Sequence, residues 1–233
     1  MEKIIVVILE NDTRKCDKNI ANLSKLFSDA RLKAYVLNPI FKGQFSCKLN
    51  NSDFIENYKC KKALEFAKDV AGDTHVLVVK DSSICQLSPL LLHEKISTLL
   101  KLGKDLCYLT SESDDCLTYK LLYDNIYTSR RPTSTQCILF NAYARDYILN
   151  NFNIRDLSLS NYLNSLISKH ILKSCVCFPN IFFYDITFAT KKKDLLKTNL
   201  CTNANTDNAD FSYSYLCLIL IACLFLCFFI LYQ

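Results

Sequence analysis

The carboxyl-terminal stretch constrains this chain more than any other segment. From Phe211 it reads FSYSYLCLILIACLFLCFFILYQ, and no charged side chain follows Asp210. About 20 apolar residues, rising 1.5 Å each as a helix, cross the roughly 30 Å hydrocarbon core of a bilayer, and this run is long enough. Tyr213, Tyr215 and Tyr232 flank it, where amphipathic rings settle at membrane interfaces. The chain is therefore expected to be a single-pass, tail-anchored membrane protein. Its parts are a body over residues 1–190, a polar linker over 191–211 and a transmembrane segment over 212–232. The linker region is rich in Asn, Asp and Thr and lacks hydrophobic periodicity, as a flexible spacer does. Near the start, Ile4–Leu9 is apolar for six residues and then meets Glu10, Asn11 and Asp12, too short for the apolar region of a signal peptide. Lys191, Lys192, Lys193 and Lys197 precede the anchor, so the positive-inside bias puts the body on the cytosolic side.

Composition narrows what the body can be. Apolar residues are 50% and charged residues 22% of the 233, a globular balance that excludes a disordered or fibrous chain. Three glycines make a Gly-rich phosphate loop untenable. A net charge of +5 is too small to imply a nucleic-acid partner, although a local basic patch could still matter. The 13 cysteines include no CxxC pair and are accompanied by three histidines, which argues against a zinc site. In a reducing compartment they are expected to be free, buried thiols.

Within the body, strand and helix alternate. Lys3–Leu9 and His75–Val79 are β-branched runs of the kind buried at the centre of a sheet, and Lys33–Leu37 is a further strand before Asn38-Pro39. Asp12 or Thr13 caps a helix with Ile20, Leu23, Leu26 and Phe27 on one face. A helix over Asp53–Ala71 should turn Ile55, Ala63, Phe66, Ala67 and Val70 inward and end at Gly72. Ser88-Pro89 opens a helix that runs to Lys101. Further strands are expected at Asp105–Leu109, Leu117–Tyr127, Thr135–Phe140 and Cys175–Phe178, with helices at Ala142–Asn151 and Leu159–Leu172. The class is α/β, a mostly parallel sheet with flanking helices, and its site belongs at the carboxyl ends of the strands, beside Leu9, Leu37 and Lys80.

Three segments carry the chemistry. The first strand ends in a polar loop, Glu10 to Lys15, and the third ends in VLVVKDSSI, which places Asp81 just past its carboxyl edge. Ser134–Leu149 (STQCILFNAYARDYIL) is a small-residue loop, a strand and a helix. This order resembles the lipooligosaccharide-type, GT-A-like glycosyltransferases, in which an acidic motif ends an apolar strand and a Gly-Thr strand follows later. With the membrane tail added, the chain resembles the poxvirus envelope proteins that bind heparan sulfate. The resemblance covers roughly residues 3 to 178. It implies Asp81 and Ser83 at the ligand site, with Arg14 and Lys15 facing a diphosphate. An active member would use a nucleotide sugar with Mn²⁺ or Mg²⁺ held by two or more carboxylates. Here Asp81-Ser82-Ser83 offers one, and Leu157–Leu163 has Ser and Asn where a second would be useful, Asp156 being out of register. The implied protein is thus a degenerate transferase with no metal or cofactor, and Asp81 is a vestigial catalytic candidate or a strand-end turn residue. An active membrane-tethered transferase is the alternative.

Basic clusters suggest what such a domain could bind instead. Lys59, Lys61 and Lys62 lie together on a helix, and Arg130-Arg131 precede Pro132 in a loop. Sulfated glycosaminoglycans are polyanions recognised by gathered Lys and Arg. The expected function is attachment of a virion envelope to cell-surface anionic glycans, or virion assembly on host endomembranes. His93 falls on the apolar side of its helix, as a partly buried core histidine does.

Overall fold

In the computed structural model, residues 4–10, 17–41, 49–111, 120–129 and 131–184 are described, all within one unit of the chain, Met1–Ala189. The proposed anchor, the linker, Arg14, Lys15, Arg130 and Lys191–Lys193 lie outside them. Among the described residues no helix is long and apolar enough to cross a membrane.

Strand β1 (Ile4–Leu9) is buried over five of its six residues, because it has a strand on each side and apolar packing over both faces. It pairs in parallel with β2 (Lys33–Leu37) on one side and β3 (His75–Lys80) on the other. Helix α1 (Asp17–Asp29) links β1 to β2 and buries Leu23 and Phe27. It ends at Arg31, whose φ of 59° turns the chain while Leu32 N–H donates to the Phe27 carbonyl. Helix α2 (Asn51–Ala71) links β2 to β3, with the Asn50 side chain capping Asp53 N–H and Gly72 closing it at φ 58°.

Beyond β3 the order is less regular. A turn leads to β4 (Ser83–Cys85), then to α3 (Pro89–Lys101), capped by Ser88 with Pro89 in its first turn, and to β5 (Leu106–Tyr108). A hairpin of β6 (Leu121–Tyr123) and β7 (Ile126–Thr128) precedes β8 (Cys137–Phe140). Helices α4 (Ala142–Asn151) and α5 (Leu159–Ser168) follow, then β9 (Ser174–Cys177) and β10 (Phe182–Tyr184). The main sheet has the order β2-β1-β3-β8-β5-β9-β7-β6, and β10 pairs with β4 in a separate ribbon.

The pairing is mixed. β8 is antiparallel to both β3 and β5, and β7 to both β9 and β6, while the other pairs are parallel. Strand directions still agree in all but β8 and β7, so the carboxyl ends of β1, β2, β3, β5 and β9 share one edge. β8 begins at that edge. Alternation along the strands divides the core in two. Val7, Val78 and Ile138 face α2, α4 and α5, whereas Val6, Leu77, Val79 and Leu139 face α1 and α3.

Three expectations need correction. The inward face of α2 is Phe54, Asn57, Cys60, Ala63, Leu64 and Ala67, while Ile55 and Val70 are exposed. Two buried polar side chains, Asn57 and Lys59, shift the face away from the one apolar spacing suggests. The segment taken as one strand over Leu117–Tyr127 doubles back at Asp124-Asn125, both at positive φ, its first three residues lying outside the described part. The last helix stops at Ser168, because His170 at φ 57° breaks it before Leu172.

Candidate functional site

A cavity of about 390 Å³ opens at the carboxyl edge, on the α2 face of the sheet. Its floor is apolar, built by Leu9, Val78, Ile138 and Phe140. One wall is the first half of α2, with Ser52, Ile55, Glu56, Lys59 and Cys60; the other is Lys80, Ser82, Thr135 and Gln136. Leu159, at the start of α5, and Tyr184, in β10, complete the rim. The placement follows from topology. A helix that joins two parallel strands begins at their carboxyl edge, so the first turns of α2 must face the same end as Lys80.

Across this opening Glu56 Oε1 meets Lys80 Nζ at 2.9 Å. Lys80 also donates to Thr135 Oγ1 at 3.0 Å, and the Thr135 hydroxyl donates to Glu56 Oε1, closing a triangle. Burial pushes the Glu56 carboxyl up, but the Lys80 ammonium and the hydrogen bonds from Thr135 and Lys80 outweigh it and hold the group below its usual range. Beside the triangle, Ser82 Oγ donates to Gln136 Oε1 at 3.3 Å. Cys60 sits behind it, its thiol pushed up to about 12 by burial and by the Glu56 carboxylate, too high for a nucleophile at neutral pH.

Asp81 stands one residue past the carboxyl edge, as its position after the strand implied. Its N–H continues the ladder to the Leu9 carbonyl at 3.0 Å, and its own carbonyl accepts from Asn19 Nδ2 at 2.8 Å. It is fully buried and forms no part of the cavity wall, which takes Val78, Lys80 and Ser82 from this strand end. Ser83 is buried too, in the β4–β10 ribbon, and also lies outside the wall. Asp156, outside the cavity, is exposed and accepts from Asn153 Nδ2, while Ser158 caps α5. The acidic group at the site is instead Glu56. Its signal was available: a carboxylate in the second turn of the helix that follows β2, on a helix end the fold must turn toward the site.

This donor set does not suit Mn²⁺ or Mg²⁺. Those ions take several oxygen ligands, commonly one or two free carboxylates with waters and substrate phosphates. Among the described residues no three His, Cys, Asp or Glu side chains converge, and the one carboxylate in the cavity wall is already neutralised by an ammonium.

The basic residues on α2 do not form a patch. Lys59 points into the cavity wall, 6% exposed, with Nζ donating to the Glu10 carbonyl at 2.7 Å. Lys61 reaches the Phe152 carbonyl at 3.0 Å, and exposed Lys62 pairs with Glu65 at 2.6 Å. A step of two residues turns a helix by about 200°, which carries Lys61 away from Lys59, while Lys62, one turn from Lys59, is held at the surface by Glu65. Arg131 is exposed in the segment leading to β8. His93 Nδ1 lies 2.9 Å from the Ala30 carbonyl, tying α3 to the end of α1 in a structural role.

No protein-family model matches the chain, and no curated protein matches it in sequence. Solved structures do match in outline. A glycosyltransferase involved in glycosylation of the major capsid of PBCV-1 is 10% identical, with 82% of this chain and 98% of that one covered at a TM-score of 0.49. A197 from STIV is 8% identical, with 78% and 83% covered at 0.44. A putative glucose-1-phosphate thymidylyltransferase from Bacillus anthracis, solved with a sucrose, is 9% identical, with 84% and 94% covered at 0.44. At these scores the likeness leaves the chemistry of the cavity to its own residues.

Proposed function

We propose that the body is a glycosyltransferase-like domain that binds carbohydrate without metal-dependent transfer, displayed from a membrane by its C-terminal anchor. In this reading it serves as an envelope protein engaging anionic cell-surface glycans, for attachment or during virion assembly. The observation that carries it is the Glu56–Lys80–Thr135 triangle. Where a transferase of this order needs free carboxylates for a cation, the cavity presents an internally neutralised pair. Hydroxyl and carboxamide groups of Ser52, Thr135 and Gln136 stand around it, above an apolar floor. Such a lining suits a pyranose, whose hydroxyls need fixed polar partners and whose C–H faces need apolar contact.

The test uses the full chain in mild detergent. Methyl glycosides are titrated calorimetrically with Mn²⁺ present and then with excess EDTA, and a nucleotide sugar is titrated alongside. Binding of the glycosides that EDTA does not change is the expected result. Micromolar, Mn²⁺-dependent binding of the nucleotide sugar, lost in Glu56→Gln, would establish the active-transferase alternative instead. A heparin column adds the polyanion arm: salt-sensitive retention weakened by Arg130→Ala with Arg131→Ala is expected, and retention indifferent to salt and to those changes would remove the glycan-attachment role.

A further inference from the structure

The ribbon of β4 and β10 turns an apolar face away from the body. Its register sets Cys85 opposite Phe182 and Ser83 opposite Tyr184, with Ile84 opposite Phe183 between them. Side chains alternate across a strand, so Ser83 and Phe182 go inward, where both are buried and Phe182 stacks on Phe27 with ring centroids 6.1 Å apart. Ile84 and Phe183 therefore share the outer face, and Ile84 is 42% exposed. The ribbon is pinned to the body: Phe182 N–H donates to the Leu109 carbonyl at 3.2 Å, the Thr110 hydroxyl to the Phe182 carbonyl at 2.8 Å, and Asn19 Nδ2 to the Ser83 carbonyl at 3.4 Å. Helix α3 starts at the same carboxyl edge of the sheet, because it leads from β3 and β4 back to the beginning of β5. It turns Leu92, Ile96 and Leu99 into the core and leaves Leu90 and Leu91, in its first turn, 68% and 51% exposed.

A single exposed leucine is ordinary and needs no account. What sets these residues apart is the charge around them and the place of the tether. From Ser82 to His93, and again from Ser174 to Tyr184, the chain has no Asp, Glu, Lys or Arg, against 22% over the whole sequence. An uncharged apolar patch suits either the hydrocarbon boundary of a bilayer or another apolar patch. The tether decides for the first. β10 is the last described element, and residues 185–211 connect Tyr184 to the proposed anchor. A chain of that length reaches about 30 Å as a coil, less than the roughly 40 Å width of a body this size. The ribbon is thus held near the bilayer at high local concentration, where even a weak interfacial affinity is expressed. We infer that the outer face of the β4–β10 ribbon and the first turn of α3 form a bilayer-contacting surface, with Ile84, Phe183, Leu90 and Leu91 entering the interface of the membrane that holds the anchor. The inference rests on the anchor in the reading above and adds to it the face of the body that meets the lipid. It is independent of what the cavity binds.

The test places the full chain in phosphatidylcholine vesicles with a trace of phosphatidylcholine bearing a diazirine on one acyl chain. After irradiation, labelled tryptic peptides are identified by mass spectrometry. Trypsin releases residues 81–95, which hold Ile84, Leu90 and Leu91, and residues 131–145, which hold Tyr143. Tyr143 is the reference, 56% exposed on α4, which packs on the opposite side of the sheet from α3 and the ribbon. Label on 81–95 should exceed that on 131–145 by about tenfold or more, since burying one leucine alone shifts a partition by that factor. Leu90→Asp with Leu91→Asp should remove the excess. Both positions lie in the first turn of α3, where acidic side chains are favoured, so the melting temperature should not fall. Label on 81–95 no higher than on 131–145, with the peptide holding 212–232 labelled, would overturn the inference and leave the anchor in place; that comparison needs no variant to fold. Label unchanged by the double substitution would overturn it as well. A dimer in detergent that the double substitution breaks, with 81–95 unlabelled in vesicles, would give the patch to a second copy of the chain instead. Absence of label from 212–232, with release of the chain by alkaline carbonate, would overturn the anchor and this inference together.

Discussion

Asn57 is the residue on which the site's architecture most depends, and replacing it with alanine tests this directly. Its side chain is fully buried on α2 and makes three hydrogen bonds, both of its N–H donors being used. Nδ2 donates to the Ile154 carbonyl at 3.0 Å and the Leu157 carbonyl at 2.8 Å, and Oδ1 accepts from Leu159 N–H at 2.8 Å. These three bonds tie the loop between α4 and α5 to α2 and start α5 at Leu159, which rims the cavity. A buried hydrogen bond contributes about 1 kcal/mol net, and unpaired partners left behind cost more when dry. The two carbonyls lie in a loop that water can reach, whereas Leu159 N–H is buried, so a loss of about 3 kcal/mol is expected for Asn57→Ala. For a domain of this size that lowers the melting temperature by about 6–12 °C. Circular dichroism melts of the full chain in mild detergent measure it. Asn57→Asp is the control: it keeps the acceptor for Leu159 N–H but loses both donors and sets a carboxylate against two carbonyl oxygens. It should be at least as damaging at neutral pH and recover partly in acid, where a protonated carboxyl can donate. A loss below about 1 kcal/mol in both variants would show that the three bonds do not hold the helices together.

Arg145, fully buried on α4, donates to the Gly72 carbonyl at 2.5 Å and the Thr74 carbonyl at 3.0 Å and pairs through Nε with Asp146. Arg145→Lys keeps the charge but not the planar fork, so a loss of about 1–3 kcal/mol is expected in urea unfolding. Glu56 gives a pH signature: a carboxyl held below its unfolded value stabilises the fold above that value and loses the contribution as pH falls through the folded one. The stability difference between wild type and Glu56→Gln should therefore shrink from about pH 6 to about pH 3, and a constant difference would show that the pair does not hold the carboxyl low. The sheet thiols Cys107, Cys137 and Cys177 are buried and pushed up, Cys107 first by its hydrogen bond with Cys175 and the other two by burial. Iodoacetamide at neutral pH should leave these three unlabelled until the chain unfolds, as read by peptide mass spectrometry.

The elements that local chemistry over-determines were legible in the sequence. β1 and β3 are β-branched runs with both faces covered, α3 has Ser88-Pro89 at its start, and α4 spans Ala142–Asn151, as its periodicity indicates. Where tertiary contacts decide, local signals fail. The Asp124-Asn125 turn contains no glycine and reads as strand, yet Asp and Asn tolerate positive φ, and Lys95 from α3 holds Asp124 at 2.9 Å. β4 and β10 are three residues each and about 100 positions apart, so neither carries a pattern long enough to see. The face of α2 was misjudged because Asn57 and Lys59 are polar groups inside, and nothing local announces that their partners are backbone carbonyls of distant segments. Asp81 is the acid that the sequence pattern puts at a strand end, whereas the acid in the cavity, Glu56, comes from a helix start.

What the cavity can hold is decided by which charges are already spent. A carboxylate free to turn toward solvent can join others around a divalent ion. Glu56 is fixed by an ammonium 2.9 Å away and by the Thr135 hydroxyl, so a cation approaching Oε1 must displace Lys80 and then sit beside it. Like charges so placed in a partly dry site repel by several kcal/mol even at an effective dielectric constant near 20. The same pair costs an uncharged ligand little, because its field is largely cancelled, and it offers hydrogen-bond partners of both polarities. The wall carries two lysines and one glutamate, where holding a divalent cation would call for the opposite balance.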